Sequence, residues 1–149
     1  MALAIRPLSL LMADDDENDY VLLDCAARRA QLPAQLCWVK DGMELLDYLR
    51  GEGRYGDSAA YPRPALVLLD LNMPRKNGLD ALQEIRQDPG LRSLPVVIFT
   101  TSKSEEDIQL GYQAGANSFI SKPPEFQRLI EIMEVLRRYW FETVATPAN

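Results

Sequence analysis

Four short apolar runs punctuate the chain: Leu8 to Ala13, Leu36 to Val39, Ala65 to Leu69 and Val96 to Phe99. Each predicts a β-strand. The last two contain no polar residue at all, as expected of strands buried on both faces in a parallel sheet covered by helices. A weaker fifth strand is expected over Asn117 to Ser121. Between the runs the apolar positions recur with helical spacing, predicting helices over about Glu17–Ala30, Met43–Arg50, Leu79–Gln87, Glu105–Ala114 and Glu125–Phe141.

The punctuation agrees with those limits. Ser104-Glu-Glu-Asp107 resembles a capping box, Asp41-Gly42 and Asn77-Gly78 precede helices, and Asp88-Pro89-Gly90 closes one. Gly51 to Pro64, with three Gly and two Pro, is the longest break and reads as a surface loop. Five βα units joined by right-handed crossovers make a doubly wound (βα)5 α/β sandwich, expected to be a single domain over residues 1–149 with a core of about 7–141. In such sheets ligands bind beyond the carboxyl ends of the strands.

Composition narrows the chemistry. The 149 residues hold 22 Asp and Glu against 16 Lys and Arg, a net charge of -6, which argues against a nucleic-acid footprint. With 47% hydrophobic residues the chain can bury a core. There is no His, so imidazole metal sites, Ser-His-Asp triads and His proton relays are excluded. Cys25 and Cys37 share neither a metal-type spacing nor a redox motif and read as small buried hydrophobes in a reduced compartment. The apolar start, Met1 to Ala13, is interrupted by Arg6-Pro7 and followed at once by Asp14-Asp15-Asp16-Glu17, which argues against a signal peptide. No stretch is long and apolar enough to span a membrane. A cytoplasmic protein without membrane association is the expectation.

The residues just past the strands are Asp14 and Asp15 after the first, Asp70 after the third, Thr100 after the fourth and Lys122 after the fifth. Taken singly, each has an ordinary explanation: Asp14 to Glu17 as a helix cap, Thr100 as a backbone partner, Lys122 as a solvated charge. Together they describe a site. Asp70 directly follows five apolar strand residues, where a carboxylate costs free energy to desolvate unless something offsets it. Three carboxylates in one crevice repel one another unless a cation lies between them. Oxygen donors select a hard cation, and Mg²⁺ suits one or two carboxylates plus water and phosphate oxygens. A carboxylate beside such an ion can attack phosphorus and form an aspartyl phosphate, with Lys122 and Thr100 binding the phosphoryl oxygens.

These residues carry a resemblance. Asp14-Asp15, Asp70-Leu-Asn-Met-Pro74 with Gly78, Thr100-Thr-Ser102, Ala114-Gly-Ala116 and Phe119-Ile-Ser-Lys122-Pro123 resemble the receiver domain of two-component response regulators. The segment from Asp70 to Gly78, Phe99-Thr-Thr-Ser102, the long loop before the third strand and Tyr139-Trp-Phe141 are similar to single-domain receivers serving phytochrome-type histidine kinases. The resemblance implies a flavodoxin-like five-stranded parallel sheet in the order 2-1-3-4-5. It implies that Asp70 takes phosphate from a sensor kinase, with Mg²⁺ held by Asp15, Asp70 and the backbone carbonyl of Asn72, and by Asp14 through water. Thr100 and Lys122 would contact the phosphoryl group, and Phe119 would be the aromatic switch. The Lys122–Pro123 bond would be cis. Pro124, which doubles the proline, and Ala13, in place of a branched residue, depart from the family pattern.

Such a protein is a phosphoacceptor, with at most weak autophosphorylation and autodephosphorylation, rather than an enzyme. Two rivals fare poorly. A phosphatase of the haloacid dehalogenase type needs an acid where this chain has Asn72, and a flavodoxin needs a phosphate loop that Asp14 to Glu17 would repel. A third, a receiver-like binding module that is never phosphorylated, is left open by the residues. The last helix carries a second apolar stripe, Ile132, Val135 and Tyr139, beside the one suited to the sheet, and with Phe141 and Val144 it predicts a homodimer, which the resemblance also favours. The loop from Gly51 to Pro64 or the C-terminal tail is the alternative cover for that stripe.

Overall fold

The computed structural model describes residues 8–147; residues 1–7, 148 and 149 of the expected domain lie outside the described residues. The chain alternates β1 (Leu8–Ala13), α1 (Glu17–Arg29), β2 (Ala34–Val39), α2 (Gly42–Arg50), β3 (Leu66–Leu69), α3 (Gly78–Gln87), β4 (Val96–Thr100), α4 (Glu105–Gln113), β5 (Ser118–Ser121) and α5 (Phe126–Leu136). All strand pairs are parallel, and the order is β2-β1-β3-β4-β5.

The uninterrupted apolar runs follow from burial on both faces. Leu11, Val67, Leu69 and Ile98 point into a core closed by Leu45 of α2 and by Leu82 and Ile85 of α3. Their strand neighbours Leu10, Met12, Leu68 and Val97 point the other way, against Leu23 and Ala26 of α1 and Met133 and Leu136 of α5. Alternate side chains of one strand therefore fill two cores. Full burial of each such Leu contributes about 1.5–3 kcal/mol relative to exposure. The helix starts are fixed by side chains: Asp16, Asp41, Asn77 and Ser104 accept hydrogen bonds from the first-turn amides of α1 to α4.

Several expectations are corrected. The long loop holds a 3-10 turn, Gly53–Tyr55, and its Tyr55 and Tyr61 pack edge-on at 4.9 Å between centroids, both against Tyr48. It lies in the α2–α3 core and so cannot cover the second stripe of α5. The regular turns of α5 stop at Leu136, and Arg137–Phe141 wind on as a π turn. Ile132 is only 8% exposed and packs with Leu129, Met133 and Leu136, so the core-facing stripe is wider than expected. Phe141 also rests on that core. Val135 and Tyr139 remain open, 57% and 52% exposed. Cys25 is exposed and Cys37 half-buried, because Cys25 falls on the solvent side of α1, opposite the stripe Leu23, Ala26 and Ala27.

Candidate functional site: a carboxylate cluster at the strand ends

Backbone hydrogen bonds lace the carboxyl ends of the strands together. The Asp14 amide donates to Val39, that of Asp70 to Ala13, and that of Lys122 to Thr100. Asp14 and Asp70 are thereby held in the sheet's plane, 1% and 7% exposed, while Asp15 reaches solvent. Carboxylate oxygens of Asp14, Asp15 and Asp70 all lie within 4.8 Å of one another. Such an all-oxygen cluster, in a chain without imidazole, has the donor chemistry of a hard divalent cation.

Lys122 supplies the balancing charge. Its Nζ donates to Asp14 Oδ2 at 2.5 Å, Asp19 Oδ2 at 2.8 Å and Asp70 Oδ2 at 3.3 Å. Burial alone would push this ammonium down, but the hydrogen bonds to Asp14 and Asp19 and the charge of Asp70 outweigh it and hold it above its ordinary value. The Asp14 carboxyl is pushed up, first by burial and further by Asp70's charge, against the hydrogen bonds from Lys122 and the Asp16 amide.

The loop between Asp70 and α3 is fixed from two sides. Gly78 donates its N–H to the Leu71 carbonyl at 3.0 Å, and a Cβ there would lie 2.2 Å from the Asp70 carbonyl oxygen, so only glycine permits this approach. On the other side Arg75, at a φ of 63°, sends its guanidinium to both carboxylate oxygens of Asp41 at 2.9 and 3.2 Å. Gly42 of α2 hydrogen-bonds the Lys76 carbonyl at 3.0 Å. The segment carrying Asn72 is thus clamped between the starts of α2 and α3. A cleft of about 460 Å³ beside the cluster is lined by Asp15, Asn72, Asn77 and Asp107, among others.

Thr100 ends β4 with a hydroxyl that is buried and has no hydrogen-bond partner among the described residues. An orphaned hydroxyl of this kind costs free energy until a ligand satisfies it. Phe119 lies half-buried in β5, against α4; a Cβ on Gly111 would come within 3.3 Å of its ring. No peptide bond among the described residues is cis, so the Lys122–Pro123 bond is trans, contrary to the expectation; nothing in the structure explains that difference. Four of the strand-end residues expected from the sequence, Asp14, Asp15, Asp70 and Lys122, come together here, and the backbone carbonyl of the fifth, Thr100, accepts from the Lys122 amide. Missed were Asp19, Asp41, Arg75 and Trp38, whose indole N–H donates to the Asp14 carbonyl. Asp19 did carry a signal: it sits four residues before Leu23 and so begins the buried stripe of α1 with a carboxylate.

A five-stranded sheet in this order, ending in three clustered carboxylates faced by a lysine, with a buried threonine closing the next strand, defines a receiver. The chain belongs to the response regulator receiver domain family, whose model matches residues 10–134. Within it, the chain is 34% identical to the response regulator Rcp1 of Synechocystis sp. over 95% of both chains. The Mn²⁺-bound form of Rcp1 superposes with a TM-score of 0.84 at 33% identity, over 95% of this chain and 100% of that one. The response regulator RPA3017 in red light signalling of R. palustris superposes at 0.91, with 36% identity over 95% of this chain and 99% of the other. The phosphorylated cyanobacterial phytochrome response regulator RcpA superposes at 0.87, with 35% identity over 96% and 100%. No described helix is long and apolar enough to cross a membrane.

Proposed function

We propose that this receiver accepts a phosphoryl group on Asp70 from the phosphohistidine of a sensor kinase of the phytochrome class, and signals by protein contact. The observation that carries the reading is the convergence on Asp70 of two further carboxylates and a lysine ammonium, beside a strand β4 that ends in a buried hydroxyl without a hydrogen-bond partner among the described residues. In the transfer, a carboxylate oxygen of Asp70 bonds to phosphorus as the bond from phosphorus to the kinase imidazole nitrogen breaks. Lys122 and Thr100 then receive the phosphoryl oxygens, the one by charge and the other through its free hydroxyl. Rotation of Phe119 reports the change to the α4 side.

Mg²⁺ is the cation this donor set fits: Asp15, Asp70 and the Asn72 carbonyl would hold it, and Asp14 would reach it through water. When bound, it neutralises charge on the transferring group. Support for the metal is the clustering of the three carboxylates and the Mn²⁺ held by the related Rcp1. The kinase class is supported by the phytochrome and red-light relatives. Any enzymatic activity is confined to slow gain and loss of the protein's own phosphate, and the protein works in the cytoplasm.

The protein pairs with a second copy of itself through α5. Support comes from Val135 and Tyr139, which stand exposed beside apolar grooves lined by Ile120, with Trp140 in one and Ile132 in the other. Incubation with acetyl phosphate and Mg²⁺, followed by intact-protein mass spectrometry of the wild type and Asp70→Asn, tests the phosphoacceptor reading.

A further inference from the structure

We propose that Asp19 is a positioning residue for Lys122, drawing its ammonium toward α1 while Asp70 is unphosphorylated and releasing it when a phosphoryl group forms. The inference rests on the phosphoacceptor reading above and deepens it.

An ammonium has three N–H donors, and all three are taken, by Asp14, Asp19 and Asp70. The two shorter contacts are to Asp14 and Asp19; the longest is to Asp70. The lysine therefore leans away from the phosphoacceptor. To bind a phosphoryl oxygen it must give up a partner, and the three are not equivalent. Asp14 has a side chain 1% exposed, and breaking its contact would strand a buried carboxylate. Asp70 becomes the phosphoryl carrier itself. Asp19 has a side chain 33% exposed, so water can replace the lysine there.

Asp19 sits in the first turn of α1, three residues after the Asp16 cap, while Lys122 follows β5 directly. The pair is thus a tie between α1 and the end of β5 that competes with phosphoryl capture. Removing the Asp19 charge frees an N–H and strengthens the pull of the lysine on an anion at Asp70.

The test is the affinity for beryllofluoride, a phosphoryl mimic, at saturating Mg²⁺, measured by isothermal titration on the full chain. Asp19→Asn is expected to bind at least about fivefold more tightly than wild type, as removal of a nearby unit charge implies. Asp19→Glu should return to the wild-type value, and Asp19→Ala gives a second, independent measurement. In a Lys122→Ala background the gain from Asp19→Asn should shrink to the small, salt-screened direct effect of removing one negative charge, which separates positioning of the lysine from a general effect. Unchanged or weaker binding in both Asp19→Asn and Asp19→Ala, or an equal gain without Lys122, overturns the proposal. A wild type that binds no beryllofluoride overturns the phosphoacceptor reading instead.

Discussion

The indole N–H of Trp38 donates to the backbone carbonyl of Asp14 across 2.7 Å, tying the end of β2 to the residue that opens the acidic pair. Tyr20 stacks on the same indole, with centroids 4.8 Å apart and planes 5° from parallel. Trp38 is therefore a built-in reporter of the cluster.

The chain has two Trp, so Trp140→Phe isolates that reporter. Titrating Mg²⁺ into this variant should change the Trp38 emission in a saturable way. Adding Asp15→Asn should abolish the response, because Asp15 is the solvent-reaching carboxylate of the cluster and a proposed metal ligand. Emission that stays fixed while Mg²⁺ raises the melting temperature would show that metal binds elsewhere.

The clamp between Asp41 and Arg75 predicts a pH dependence. Burial alone would raise the Asp41 carboxyl, but the Arg75 guanidinium and the Glu44 amide hold it below its ordinary value. A depressed carboxylate contributes stability above its unfolded-state value and loses it as pH falls through the folded-state value. Arg75→Ala should melt below wild type at neutral pH, with the gap closing as the solution is acidified below the usual carboxylate range. Asp41→Ala also removes the cap of α2, about 1 kcal/mol, and should cost more than Arg75→Ala. Thermal melts between neutral and acid pH give the comparison; a gap that widens on acidification contradicts the clamp.

Dimerisation is predicted to depend on Val135 and Tyr139. Replacing both with Asp places unpaired charge in a two-fold contact and should yield monomers that still accept phosphate. Because Ile132 is in the core, Ile132→Asp should instead lower stability strongly. Light scattering at micromolar concentration separates these outcomes. A wild type that is already monomeric, with or without beryllofluoride, refutes the pairing.

The parts of the molecule that the sequence revealed are those set by the strand pattern. An unbroken run such as Leu66–Leu69 states burial on both faces, and the charge that ends it, Asp70, states where the site must be. What the pattern could not reveal depends on approach between distant elements. Asp19 shows from the sequence only that a carboxylate begins the buried stripe of α1; its partner, Lys122 after β5, becomes visible only in the folded chain. Arg75 reads as a surface cation until β2 and the loop after β3 come together at Asp41. Ile132, which the helical spacing assigns to a separate stripe, is buried because α5 packs on both α1 and the sheet, which widens its buried face beyond one stripe.

Phosphorylation of Asp70 is the claim on which the rest depends. Intact-protein mass spectrometry after incubation with acetyl phosphate and Mg²⁺ measures it directly. The wild type should gain a single phosphoryl group, and none when EDTA is present throughout the incubation; Asp70→Asn should gain none. A wild type that stays unmodified under these conditions and with phosphorylated sensor kinases, or an Asp70→Asn variant modified to the same extent as wild type, would contradict the account.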